Sequence, residues 1–314
     1  MALLESNCPN LRLVARGKVR DIYEFPGDDS KLLFVATDRI SAFDIVMKNG
    51  IPNKGKLLTQ LSLFFFKKLE SVIPNHVISG DFDEILSLSL SNSNSNAILP
   101  YRDQLEGRTI LVKKSQFSSV KPLSEVILLA RHMLNTRSPE RYMGSPCPTT
   151  WSSRLSSPSP SSPLVPRRIS ERTMKTFIQI NVVGEVLGSE TLANHVKKAS
   201  IALYEAANDH CLSSNSGLFL ADTKFEFGLD PSSNNQVLLI DECLTPDSSR
   251  FWAANQWSEG TKMSGFDKQV LRDWLKTQGV DGKDQLEIPK SVVDSTWIKY
   301  CEAFKLLTGR EFVP

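Results

Sequence analysis

Short apolar runs punctuate the first third of the chain. Leu32–Ala36 (LLFVA) reads as a buried strand. Arg16–Phe25 (RGKVRDIYEF) contains an early glycine and continues in a strand pattern, and Ile110–Lys114 (ILVKK) is a further strand. Leu61–Leu69 (LSLFFFKKL) is the most apolar stretch, but two lysines interrupt it and no apolar run reaches membrane-spanning length. Farther on the period lengthens. Leu192, Val196, Leu203 and Ala207 recur near helical spacing and predict a helix over Ser189–His210, with Ser189 as its cap. Gly217–Phe227 and Val237–Glu242 read as two strands joined by the polar turn LDPSSNNQ. Phe266–Lys276 and Val292–Leu307 read as amphipathic helices, and no internal repeat is present. Strands that dominate the first hundred residues, followed by mixed strands and helices, predict an α+β fold of two lobes around a cleft.

Composition narrows the function. The 314 residues suffice for two modest domains. With 40% hydrophobic and 23% charged residues, the chain belongs with soluble globular proteins. Its 37 basic and 35 acidic residues create no field for nucleic acid, so no nucleic-acid or membrane partner is expected. The early Glu5 and the lack of a long apolar run at the N-terminus argue against a secretory leader. Five scattered cysteines, with no CxxC pair, suggest neither a disulfide framework nor a zinc ribbon, and a cytoplasmic protein is expected.

One segment departs from the rest. Residues 121–177 hold eight of the 17 prolines, 11 serines, one glycine and no aspartate, with nine basic against three acidic residues. Ser152–Arg168 (SSRLSSPSPSSPLVPRR) forms neither a ladder nor a helix interior, because proline removes donors and fixes φ; disorder is expected, above all over 138–170. Ser87–Asn96 (SLSLSNSNSN) reads as a variable surface loop.

Four motifs carry candidate chemistry. In Gly17-Lys18-Val19-Arg20 a glycine lets backbone approach a phosphate and two cations flank it; a basic β-turn has the same composition. In ADTKFEFG, strand alternation puts Asp222, Lys224 and Glu226 on one face, opposite Thr223, Phe225 and Phe227. Three charges on one face need a ligand, a metal or one another. In LLIDE an apolar strand ends in carboxylates; if it pairs with the preceding strand, Glu226 and Asp241 would converge on Mg2+, which favours one or two carboxylates plus phosphate oxygens. The turn TPDSSRFW then offers Ser249 and Arg250 to an anion. Asp44 reads as a structural residue that pins a turn. The four histidines show no metal-ligand spacing, and no Ser/His/Asp or Cys/His constellation stands out.

At these motifs the chain resembles the phosphoribosylaminoimidazole-succinocarboxamide synthases (SAICAR synthetases) of purine synthesis, in their fungal form. The matching stretches are GKVRDIYE (17–24), LFVATDRISAFD (33–44), IPNKGKLL (51–58), ADTKFEFG (221–228), LIDECLTPDSSRFW (239–252) and FDKQVLRDWL (266–275). The resemblance covers residues 11–115 and 181–314. It implies a two-lobed, ATP-grasp- or kinase-like fold with antiparallel sheets: an ATP-binding lobe over 1–115 and a substrate and magnesium lobe over 116–314. It also implies a monomeric carbon–nitrogen ligase. ATP activates the carboxylate of carboxyaminoimidazole ribotide as an acyl phosphate, and the amine of L-aspartate displaces phosphate. By resemblance, Gly17, Lys18, Val19 and Arg20 cover the ATP phosphates, and Val112 and Lys113 meet adenine. Glu226 and Asp241 hold Mg2+. Lys224 and Asp222 are the catalytic pair at the imidazole carboxylate, with Ser249 and Arg250 on the ribotide side.

The resemblance fails in the odd segment. The family motifs RGYITGS, GTVHG, FTPSTKAE and HDENI are absent. Reverse translation of Thr149–Arg154 one base earlier permits DNLVES, and the same shift over Ser161–Phe177 permits FTPSTKADQRTHDENI. The implication is that residues 121–177 are the family's middle segment read out of frame. The polypeptide as written is then an impaired synthetase; the alternative is an inactive nucleotide-binding relative with a Ser/Pro-rich arm.

Overall fold

A computed structural model describes residues 1–93, 96–115, 124–132, 174–181, 189–214, 216–254, 265–279 and 286–314. The first sheet contains β1 (Leu13–Arg16), β2 (Arg20–Phe25), β3 (Asp28–Ala36), β6 (Val77–Ser79) and β7 (Thr109–Lys113). Three of its strands are those read in the sequence, and two more, β1 and β6, join them. They lie in the order β1-β2-β3-β7-β6, and each neighbouring pair is antiparallel. Alternation decides which side chains go inward. Tyr23, Phe25, Leu33 and Val35 enter a core with Cys8 and Leu111, while Leu32, Phe34, Ile110 and Val112 form a separate apolar layer. Between β3 and β6, Ser41–Ala42 (β4) and Ile45–Val46 (β5) make a small hairpin. Its two tip residues, Phe43 and Asp44, both have left-handed φ, at 52° and 64°.

The second sheet is built around the long strand β10 (Leu218–Asp230). On one edge β10 pairs with β8 (Ser124–His132), which pairs with β9 (Met174–Asn181). Its other edge is shared. The first half of β10 pairs with β12 (Ser249–Ala253), and the second half with β11 (Gln236–Ile240). The chain therefore leaves β11 at Ile240 and returns at Ser249, and residues 241–248 bridge the two pairings. As expected, β10 and β11 form a hairpin, closed by a 3-10 turn over Pro231–Ser233.

Three long helices cover this sheet. They are α1 (Lys54–Leu69), α4 (Glu190–Ser213) and α6 (Lys290–Thr308), numbered after the short α2 (Phe82–Ser93) and α3 (Arg102–Leu105) and with α5 (Gln269–Thr277) between the last two. Leu61 and Phe65 of α1, Leu203 and Cys211 of α4, and Phe304 and Leu307 of α6 share one core with Phe225, Phe227, Cys243 and Phe251. Ser189 caps α4 as read, its side chain accepting the Leu192 N–H at 3.2 Å. Helix α1 has no side-chain cap of its own, and its capping position, Asn53, is left-handed. Asp38 does that work from the preceding loop, accepting the Gly55 N–H at 2.9 Å. A Cβ on Gly55 would stand 2.3 Å from the Ala36 carbonyl oxygen, so the close approach of α1 to β3 needs glycine there.

Two readings change. The greasy run before Leu69 is part of the helix α1, and Ser87–Ser93 belongs to α2 rather than to a loop. In α2 the buried Phe82, Ile85 and Ser89 follow a helical period, and packing beneath the first sheet outweighs the poor helix propensity of serine and asparagine. The first hundred residues are accordingly not strand-dominated. Within the odd segment, 124–132 and 174–177 are paired strand; residues 121–123 and 133–173, with the disorder expected over 138–170, lie outside the described residues.

Candidate active site

The two sheets meet at a narrow cleft lined by Val19, Arg20, Thr37, Lys54, Asp241 and Glu242. Arg20 begins β2 and Asp241 follows β11, so an ion pair between them spans the cleft. The Arg20 guanidinium also lies 5.4 Å from the ring centre of Phe34. Asp241 has φ of 68°, a left-handed turn that carries the chain off the strand edge. At the tip of the β1–β2 turn, Gly17 N–H donates to the Arg20 carbonyl at 2.7 Å. Lys18 Nζ reaches Asp44 Oδ1 at 2.6 Å, which joins this turn to the strained hairpin tip.

The charged face read on β10 is present. Asp222, Lys224 and Glu226 are half-buried, whereas Thr223, Phe225 and Phe227 are buried. Its charges are paired. Register places Asp222 opposite Arg250, whose Nε and Nη2 donate to the two carboxylate oxygens at 2.5 and 2.8 Å. The next cross-strand pair, Thr223 and Ser249, shares a hydroxyl hydrogen bond of 2.8 Å in the interior. Lys224 Nζ lies 2.6 Å from Glu226. Glu226 pairs in register with Ile240, one residue before Asp241. Of the two carboxylates expected to hold a metal, Glu226 thus lies on β10 and Asp241 just past the end of the adjacent β11, each beside a cation. Among the described residues no group of three or more His, Cys, Asp or Glu side chains has metal-binding geometry.

Val112 and Lys113 are not among the residues that line the cleft. Val112 lies mid-sheet, paired with Leu32 on one side and Val77 on the other. Lys113 donates its N–H to the His76 carbonyl at 2.8 Å, and its ammonium meets Asp230 at 2.9 Å. Hydrogen bonds from Ser232 lead the effects that hold Asp230 at about 2, followed by burial, which opposes them, and then the Lys113 hydrogen bond.

Sequence reasoning missed a buried charge cluster behind the cleft. Asp247 Oδ2 lies 2.8 Å from Lys54 Nζ and 3.7 Å from Lys268 Nζ, and Tyr300 donates its hydroxyl to Oδ1 at 2.5 Å. Burial acts to raise the Asp247 pKa, but the charges of Lys268 and Lys54 and the hydrogen bonds from Lys54 and Tyr300 prevail and hold it near about 2. Lys268 also donates to the Ser41 carbonyl at 3.2 Å, tying the hairpin to this cluster. His76 is likewise buried, packed against Phe34 and Phe66, with no hydrogen-bond partner on either ring nitrogen among the described residues. Burial, followed by the nearby charge of Arg20, pushes its pKa down to about 3. Lys54 and Asp247 stand inside the quoted motifs IPNKGKLL and TPDSSRFW; no local pattern couples them.

The two-sheet α+β fold is shared with known enzymes. The SAICAR synthetase family profile matches residues 13–289. The phosphoribosylaminoimidazole-succinocarboxamide synthase of Pichia angusta is 42% identical over 302 residues, covering 96% of this chain and 95% of that one. Among solved structures, a SAICAR synthase is 34% identical with a TM-score of 0.73, over 99% of this chain and 100% of that one. The Saccharomyces cerevisiae SAICAR synthase, complexed with SAICAR, is 33% identical with a TM-score of 0.72 and the same coverage. The chain belongs to the SAICAR synthetase family, the ligases that join L-aspartate to carboxyaminoimidazole ribotide at the expense of ATP in purine biosynthesis. These matches favour a ligase over an inactive nucleotide-binding relative.

Proposed function

We propose that the cleft between the two sheets is where this ligation occurs, with 1–115 as the nucleotide lobe and 116–314 as the substrate lobe. The observation that carries the reading is the Arg20–Asp241 pair, which brings the glycine-containing turn and the end of β11 to one place. Gly17, Lys18, Val19 and Arg20 would hold the ATP phosphates, and the strand bearing Val112 and Lys113 would flank the adenine. Lys224, oriented by Glu226, and Asp222, oriented by Arg250, would face the imidazole carboxylate. Ser249 and Arg250 would hold the ribotide.

The donor set fits Mg2+: Glu226 on β10 and Asp241 just past β11 are hard oxygen ligands, and Asp241 meets the turn assigned to phosphate through Arg20. Bound there, the ion would neutralise charge on the phosphate oxygens. In the first step the ribotide carboxylate oxygen attacks the γ-phosphorus and the bond to ADP breaks. In the second the aspartate amine attacks the acyl carbon, the C–O bond to phosphate breaks, and the amine loses a proton. Lys224 offsets negative charge on the carboxylate, and Arg20 offsets charge on the phosphates. Both act by electrostatic positioning. A monomer in the cytoplasm is the setting that accords with the resemblance. Among the described residues no helix is long and apolar enough to cross a membrane.

The test is formation of SAICAR and ADP in equal amounts from ATP, carboxyaminoimidazole ribotide and L-aspartate. Lys224→Met is expected to lower kcat on the order of 10²-fold, the scale for removing one preorganised charge. Undiminished kcat would overturn the assignment. We further propose that residues 121–177 are the family's middle segment read one base out of frame. The native transcript across residues 115–182 decides this: a single frame matching the present polypeptide refutes it. A polypeptide with the shifted frame restored should turn over faster than the present one.

A further inference from the structure

The turn assigned to phosphate is gripped from below. Arg39, 7% exposed, donates from Nε to the Lys18 carbonyl at 3.0 Å and from Nη2 to the Gly17 carbonyl at 2.9 Å. Nη1 donates to the Leu4 carbonyl, and Nη2 also meets Asp21 Oδ1 at 2.8 Å. Asp21 is fully buried and accepts the Ser6 N–H at 2.9 Å and the Ser6 hydroxyl at 2.7 Å, with Arg16 Nε at 3.3 Å. The neighbouring carbonyls are held too. Val19 O accepts the Thr37 N–H at 3.0 Å and the Thr37 hydroxyl at 2.9 Å, and Arg20 O accepts the Gly17 N–H at 2.7 Å.

All four carbonyl oxygens of the turn are therefore engaged by donors of the protein. The N–H groups of Lys18 and Val19 have no hydrogen-bond partner among the described residues. A turn with its carbonyls tied down and its amides open is polarised toward an anion. We propose that Arg39, assisted by Thr37, is a positioning residue that holds this polarity, so that the Lys18 and Val19 amides meet the phosphates of the nucleotide. The proposal rests on the reading of the turn as the phosphate site. Arg39 touches no substrate in this scheme. Its planar fork joins three carbonyls and a carboxylate, and the compact ammonium of lysine does not span that set.

The experiment measures Kd of the full chain for Mg2+–ADP, for adenosine and for carboxyaminoimidazole ribotide by calorimetry, with Tm as the control for folding. Arg39→Lys keeps a cation beside Asp21. Its Kd for ADP is expected to rise about tenfold, the scale of one lost charge-assisted contact, while adenosine and the ribotide change less than about twofold. A general loss of structure would weaken all three together. An unchanged ADP affinity in folded Arg39→Lys overturns the proposal, as does parallel weakening of all three. Lys18→Pro, which deletes both one of the two open amides and the ammonium, separates the causes of failure. If it weakens ADP, the turn binds phosphate without help from Arg39; if it does not, the phosphate reading of the turn falls as well. Should Arg39→Lys not fold, Thr37→Val decides: about threefold weaker ADP binding supports the proposal, and none overturns it.

Discussion

Two buried aspartates hold the same helix in different ways. Asp38 has its carboxylate surrounded by fixed donors: the Leu3 and Gly55 N–H groups at 2.8 and 2.9 Å, and Arg108 Nη1 at 2.8 Å. Among the described residues Asp247 has no backbone donor to its carboxylate; it depends on Lys54, Lys268 and Tyr300, side chains at the start of α1, the start of α5 and mid-α6. Both grasp the first turn of α1, Asp38 through Gly55 N–H and Asp247 through Lys54. The first grip is made by the backbone and survives partial loss of charge. The second is made by charge between elements far apart in the chain, so it is one of the links by which the two halves of the protein depend on each other.

The largest expected effect breaks the second grip. Lys54→Met leaves a buried carboxylate with one ammonium at 3.7 Å and should cost about 3–5 kcal/mol of unfolding free energy, read by denaturant titration. Adding Asp247→Asn to it should recover part of that loss; a pair that costs the sum of its singles removes the coupling. Asp38→Asn keeps one oxygen, enough for one of the two backbone donors, and should cost less, about 2 kcal/mol. If Asp38→Asn proves the more damaging, the contrast between the two grips is reversed.

Acid sharpens the comparison. The folded pKa of Asp247 lies below that of an unfolded aspartate, so its stabilising effect is complete above about pH 4 and fades as pH falls toward about 2. His76 acts earlier. Its folded pKa of about 3 lies below the ordinary 6.5, so the unfolded chain binds a proton first and stability drops as pH falls from 6.5 toward 3. His76→Leu should remove that slope, worth about 2 kcal/mol at pH 5 by linkage. A stability profile between pH 6.5 and 4 that is the same in both proteins would show that His76 is not its source. The smallest effect belongs to Asp44→Ala, which deletes the exposed partner of Lys18 and should change stability by less than about 0.5 kcal/mol. A larger change, seen as a shift in Tm, would mean that the hairpin tip is held by more than this pair.

Local pattern made much of this fold legible. A strand pattern foretold β2, a continuous apolar run β3, and alternation which face of β10 carries its charges, while spacing foretold α4, α5 and α6. Helix α1 escaped because its apolar face was read as a greasy run broken by lysines, and α2 because serine and asparagine favour loops until packing overrules them. The residues proposed for the site were legible as motifs, and their pairings were not. Asp222 with Arg250 depends on the register of β10 with β12, and Arg20 with Asp241 on how two sheets approach. Lys54 with Asp247 joins the start of a helix to a turn near the other end of the chain. Such pairings are tertiary facts with no period of their own.

The burial of the cysteines has a practical consequence. Cys8 lies in the core of the first sheet, Cys211 and Cys243 in that of the second, and burial raises the pKa of each thiol. Each is thus shielded from alkylation until its surroundings open. Pulsed labelling with mass-spectrometric readout would make them timers for the two cores. Simultaneous modification would mark one cooperative unit, and earlier modification of Cys8 would mark a first sheet that unzips while the second still holds.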